Sequence, residues 1–335
     1  MYNSALRLFL RTPVFLLLIT ICCAENRKTA PPVPLLEKKG VAGLMANNAM
    51  FLESKDKSWA ISPSDSSGGY EIWLSRDASS WIKSSGRAPW STQSYFTPLM
   101  FQDRLWILGG AGEIRRFNDV WNSEDGVKWN YVSSRAEWRA RYGFACAVFK
   151  ERLWVLGGLR RPEGVLNDVW HSGNGMTWKR VSSPVPWAPR IGLKSLVFRG
   201  RLYIYGGYSS DLGGRLYSDA WSTSDGEKWR REKWTDLPDL MFKEKLWILG
   251  GSERRIYGHS HEMDNSILYS EDGTKWSQVE QPVPRVERLR YKCAIFAGRL
   301  WIAGGSRRTE VEGEWIKLKD AWYSEDGINW HQVTE

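Results

Sequence analysis

One arrangement of residues recurs six times along this chain, and it constrains the fold more than any other feature. It is clearest from Arg152 to Trp178: an apolar run closed by Gly157-Gly158, a variable loop, Asn-Asp-Val-Trp, a tight turn and a final Trp. Three aromatic tracks count the copies. The first is Trp59, Trp106, Trp154, Tyr203, Trp247 and Trp301; the second is Trp73, Trp121, Trp170, Trp221, Leu268 and Trp322; the third is Trp81, Trp129, Trp178, Trp229, Trp276 and Trp330. Successive first-track residues lie 44 to 54 positions apart. Glycine pairs follow at Gly109-Gly110, Gly157-Gly158, Gly206-Gly207, Gly250-Gly251 and Gly304-Gly305, while the first copy has Ser62-Pro63. A unit repeated at this period cannot bury its apolar face alone and must stack on its neighbours.

Each copy predicts four strands. Phe144 to Phe149 is apolar and closes in Phe; a turn at 150–152 leads to the apolar run Leu153 to Leu156. Such a continuous run suits a strand covered on both faces. Asp-Val-Trp makes the third strand, and the fourth begins near the third-track Trp. Between them stand Asp-Gly pairs at Asp125, Asp225, Asp272 and Asp326, and Asn-Gly at Asn174. These pairs accept positive φ cheaply and are a strong hairpin signal. The expectation is an all-β fold: a six-bladed β-propeller of four-stranded antiparallel blades, whose ring leaves no long edge exposed.

The glycine pairs, Asn118-Asp119-Val120-Trp121, Asn167-Asp168-Val169-Trp170 and the third-track Trp together resemble the kelch family of β-propellers. Arg141 and Arg190 stand at the start of strand one, where kelch repeats often carry Arg. The resemblance covers residues 42–335. The turn SEDGxxW is similar to the Asp-box of sialidase-like propellers but is one residue shorter. The resemblance implies a fold and not an activity, since propellers host enzymes and binding proteins alike.

The chain opens with a basic start at Arg7 and Arg11 and an apolar run from Val14 to Ile21, too short to span a bilayer. Residues 1–23 therefore read as a signal peptide. Cys22-Cys23 directly after it resembles a bacterial lipoprotein signal, with lipidation expected at Cys23; cleavage after Ala24 is the alternative. Residues 24–41 read as a polar, Pro-rich tether, and 42–335 as the propeller. An exported protein, anchored in a bacterial membrane or secreted, is expected.

Net charge is +9, and removing Arg7 and Arg11 leaves 45 basic against 38 acidic side chains. That excess favours anionic partners. No lysine-rich run marks nucleic acid, and no HExxH, GxSxG, Walker or dinucleotide motif marks a cofactor or nucleophile. The loop His259-Ser260-His261-Glu262-Met263-Asp264 carries metal-compatible side chains but reads as solvated. Past the signal only Cys146 and Cys293 remain. They share one register in copies three and six, which face each other across a six-fold ring, so both are expected as free thiols in a monomer. Sixteen of the 21 tryptophans lie on the three tracks and four (Trp90, Trp138, Trp187, Trp234) in the linkers, which reads as packing.

Strand parity places the strand two–three loops and the blade linkers on one face. These are long and variable, the usual carriers of function on a rigid scaffold. This face holds Arg115-Arg116, Arg160-Arg161, Arg254-Arg255 and Arg307-Arg308 in its loops, and Arg139, Arg141, Arg190, Arg288 and Arg290 in its linkers. Arg141, Arg190 and Arg288 each stand eight residues before a closing Phe, so three guanidinium forks could converge on the channel mouth and grip an anion. Pairing with local acids is the competing reading. Trp138 and Trp187 could stack on a sugar or anchor a protein, or plug the gap between blades. Two functions follow: a non-enzymatic scaffold for a protein or anionic glycan, or a sugar-acid enzyme similar to sialic acid epimerases or sialidases.

Overall fold

The computed structural model describes residues 38–333 apart from 55–56, 65–68, 79, 85–87, 91–93, 210–213, 251–265, 281–290 and 309–314. Six antiparallel sheets follow one another along the chain as the blades of a propeller. Blade three is typical: Ala145–Phe149, Arg152–Arg160, Gly164–Ser172 and Lys179–Arg180, paired in sequence order. The first strands of successive blades approach one another around the axis, and Ser195 Oγ donates across to Cys146 O at 2.7 Å. Cys146 and Cys293 are free thiols.

Apolar side chains fill the gaps between blades rather than one central core. The cluster between blades two and three joins Trp106, Leu108 and Val120 to Leu153, Val155 and Trp178, and the linker Trp138 lies among them, fully buried. Trp90, Trp138 and Trp187 each meet the third-track Trp of the following blade edge-on, at 5.1, 5.9 and 6.1 Å. Such pairs add to plain area burial.

The turns differ from the sequence expectation. Two-residue hairpins with both central residues at positive φ join strands one and two, at Gln102-Asp103, Lys150-Glu151, Arg199-Gly200, Lys243-Glu244 and Ala297-Gly298. Three of these contain no glycine. In the Asp-Gly turns only the glycine is left-handed, and side chains build the loop. Ser123 Oγ accepts from the Gly126 amide, Asp125 Oδ1 accepts from the Val127 and Lys128 amides, and Trp129 Nε1 donates to Gly126 O. The serine and threonine contacts to the turn amides recur from Ser172, Thr223, Ser270 and Ser324, and from Ser75 in blade one, with Ala78 in the glycine place. The indole bond recurs at Trp178 and Trp81, whereas Nε1 of Trp229, Trp276 and Trp330 finds no acceptor among the described residues.

The turn glycine exists for close approach. A Cβ on Gly126, Gly175, Gly226 or Gly327 would lie 1.9 to 2.5 Å from the first-track Trp of the preceding blade. Blade four has Tyr203 on that track, and Trp234 stacks on it at 5.0 Å and lies under Gly273 instead. This explains why Trp234 is out of step with the other linker tryptophans.

The first blade begins earlier than residue 42. Strand β1, Lys38–Gly40, pairs with the outermost strand Ser80–Lys83 and makes that sheet five-stranded. Helix α1, Val41–Ala46, then enters the seam between blades one and six. Its Leu44 and Met45 are fully buried among Trp73, Trp81, Trp301 and Phe296. Phe51 stacks on Phe296 at 4.5 Å, and Phe296 on Trp301 at 4.7 Å, so aromatic packing closes the ring.

Candidate functional site

The Asn-Asp-x-Trp motif acquires a meaning from its hydrogen bonds. Asn118 Nδ2 donates to the carbonyls of Ala136 and Trp138, and Asn167 Nδ2 to that of Trp187, so the Asn fastens the outgoing linker. The Asp accepts from the indole two residues on: Asp119 from Trp121, Asp168 from Trp170, Asp219 from Trp221 and Asp320 from Trp322.

In blades three and four the Asp also receives the incoming linker. Arg141 Nη1 donates to Asp168 Oδ1 and Nη2 to Asp168 Oδ2 at 2.9 Å; Nη1 also reaches Gly157 O at 3.0 Å and Nε reaches Arg139 O at 2.9 Å. Arg190 repeats this set on Asp219, Gly206 O and Ala188 O. Both guanidiniums have 0% exposure. Burial would raise the carboxyl of Asp168, but the Arg141 fork overrides it and holds the acid below its ordinary range; Arg190 does the same for Asp219.

Arg141 and Arg190, expected to grip an anion at the channel mouth, instead direct four donors each into the blade and are wholly buried. Trp138 and Trp187, at 0% and 1% exposure, are inter-blade plugs and not a stacking surface. Arg139 is open, 68% exposed, with Glu163 at 3.8 Å. Arg288 and Arg290, Arg254-Arg255, the loop at 259–264 and Cys23 lie outside the described residues.

The long-loop face is built from ribbons. Past four of the glycine pairs, strands two and three continue as a narrow hairpin: Gly110 to Ala111 with Arg116 to Phe117, Gly158 to Arg160 with Gly164 to Leu166, Tyr208–Ser209 with Arg215–Leu216, and Ser306–Arg308 with Trp315–Lys317. Linker residues attach to three of them by single antiparallel bridges, Ser94 to Ala111, Tyr142 to Leu159 and Ile191 to Tyr208. Large apolar side chains stand exposed here: Ile114, Tyr95, Tyr208, Leu216, Trp315 and Ile316. Among them lie Arg115, Arg160, Arg161, Arg215 and Arg307, none of them buried.

Arg116 belongs to the Arg115-Arg116 pair of the long-loop face, but no sequence motif marks Tyr95 or Tyr142. Tyr95 holds φ 56, and the matching linker positions are Gly143 at φ 63 and Gly192 at φ 70. Aligning Ser94-Tyr95-Phe96 with Tyr142-Gly143-Phe144 and Ile191-Gly192-Leu193 exposes the missing glycine. Among the described residues no group of three or more acidic, His or Cys side chains could hold a metal ion. No model of a known protein family matches this chain, and no curated protein matches it.

Proposed function

We propose that this propeller is a binding scaffold that engages a protein or anionic glycan through its long-loop face. The observation that carries the reading is the composition of the ribbons. Exposed apolar surface rimmed by polar residues marks interaction sites, and here six large apolar side chains stand among arginines on one face. Aromatic residues and Arg are enriched at protein interfaces. The sugar-acid enzyme reading needs arginines facing a central pocket, and the forks of Arg141 and Arg190 are instead paired with Asp168 and Asp219, which favours the scaffold.

A peptide and glycan array tests this. Wild type is compared with the triple variant Ile114→Ser, Leu216→Ser, Ile316→Ser and with Met176→Ser on the opposite, short-turn face. Array ligands should be lost by the triple variant and kept by Met176→Ser; survival in the triple variant removes the reading. Export and a lipid anchor at Cys23 are part of the proposal, supported by the apolar run before Cys22-Cys23. Intact-mass spectrometry should find Cys23 acylated as the new N-terminus, and an unacylated N-terminus at Glu25 rules out the anchor.

A further inference from the structure

We propose that Tyr95, Arg116 and Tyr142, at the junction of blades two and three, form a cradle that grips an acidic segment of a protein partner. The proposal rests on the scaffold reading above and names the chemistry of its partner. Tyr95 is the first observation. A bulky side chain in the left-handed region is strained, and strain persists where something else requires it. Packing does not require it, for Tyr95 is 71% exposed. The neighbouring linkers relieve the same position with Gly143 and Gly192.

The second observation is what Tyr95 faces. Its ring lies 6.0 Å from that of Tyr142, inclined at 48°, so the two rings form an open angle. Both residues sit on pinned backbone. Ser94, just before Tyr95, exchanges two hydrogen bonds with Ala111 at 2.7 and 2.6 Å, and Tyr142 exchanges two with Leu159 at 3.1 and 2.9 Å. A rigid pair of tyrosines offers contact area at low entropic cost.

Arg116 is the third. Its guanidinium lies 4.7 Å from the centre of the Tyr142 ring, and Nη1 donates to Gly112 O at 3.1 Å. Its Nε is enclosed with no acceptor, and no carboxylate pairs with the group among the described residues. Blade three differs: there Glu163 neutralises Arg160 at 3.1 Å and approaches Arg139 at 3.8 Å. A cation partly removed from water without a counter-charge gains strongly from a carboxylate. Arg115, exposed and stacked on Phe117 at 4.6 Å, adds positive charge beside it. Glu113 is the one acid in the turn 112–115. Ile114, 97% exposed at the ribbon tip, supplies an apolar anchor next to the charge, which suits a peptide better than a sugar.

Fluorescence anisotropy with a fluorescein-labelled peptide of eight glutamates around a central leucine tests the cradle. The peptide should bind wild type in a salt-sensitive way, and its glutamine counterpart should not. Arg116→Gln should weaken binding about tenfold, the loss of one charge-assisted contact, and Arg116→Lys should recover only part of it. Tyr95→Gly should weaken binding about fivefold while Tm holds or rises, because glycine relieves the left-handed strain. A fall in Tm with unchanged affinity would make Tyr95 a packing residue and overturn the proposal. So would no binding of the peptide, equal binding by Arg116→Gln, or displacement by hexagalacturonate at lower concentration than by unlabelled peptide. Array ligands retained by Arg116→Gln but lost by the ribbon triple variant would remove the cradle and leave the scaffold reading standing.

Discussion

Arg141 shows how one side chain joins three segments. Four of its donors reach the linker, the glycine bulge and the strand-three Asp, and the side chain is wholly buried. Removing one partner of a buried pair strands the other charge, so Arg141→Met is expected to cost about 3 to 5 kcal/mol in urea unfolding. The double variant Arg141→Met, Asp168→Leu should recover much of that loss, because no charge is left behind; a double variant as unstable as the single would show that the fork acts through its carbonyl contacts. The acids also set a pH dependence. Asp168 and Asp219 are held below their ordinary range, and Asp272 and Asp326 near 2 by the amides and side chains of their turns. A depressed folded value means that the contribution is complete above the unfolded value, near 3.8, and is lost as pH falls through the folded value. The urea midpoint should hold from pH 7 to 5 and fall steadily between pH 4 and 2; a flat profile there would mean these acids titrate alike folded and unfolded.

At the scale of the element, the serine–aspartate turn is a spacer between blades as much as a hairpin. Gly226 lies against the Trp154 ring, where a Cβ would meet Cη2 at 1.9 Å. Gly200 has nothing within 4 Å, although its φ of 69 is just as left-handed. Gly226→Ala should therefore cost about 2 to 4 kcal/mol, overpacking added to strain. Gly200→Ala should cost about 1 kcal/mol or less, since Glu151 and Glu244 already adopt that conformation in the matching turns. Thermal unfolding of the two variants separates space from conformation, and equal losses would assign the glycine requirement to backbone alone. The Tyr203–Trp234 exchange belongs here too. A smaller first-track ring is compensated by an indole from the next linker, so the gap stays filled by different residues.

For the whole molecule, the seam between blades one and six is where the ring can open. Among the described residues no strand is exchanged across it: the strands of blade one lie within residues 38–83 and those of blade six within residues 292–332. Closure depends on α1, Phe51, Phe296 and Trp301. Leu44→Ala is expected to cost about 2 to 5 kcal/mol, the range for a buried Leu truncation. Its mark should be local, with hydrogen exchange rising first in Met50–Glu53 and Lys292–Phe296. A uniform rise over all blades would place the weak point elsewhere.

The sequence alone determined the number of blades, the order of strands in each and the inward role of the track tryptophans. Those features repeat, and a repeat reports its own register: Trp154 is buried because every residue at its position must be. It did not determine the face that each arginine presents. Arg141 and Arg190 stand at the expected place in the period, but their partners lie 27 and 29 residues away. Whether a guanidinium turns into the blade or towards the channel depends on where those acids fall in space. The Asp-Gly pairs do join strands three and four, but the form of the turn, a loop anchored by Ser and Asp instead of a two-residue hairpin, was not legible from the pair alone. The ribbons beyond the glycine pairs, the helix in the closing seam and the meeting of Tyr95, Arg116 and Tyr142 were decided by tertiary structure. They join segments that have no common period, so only the packing of neighbouring blades brings them together.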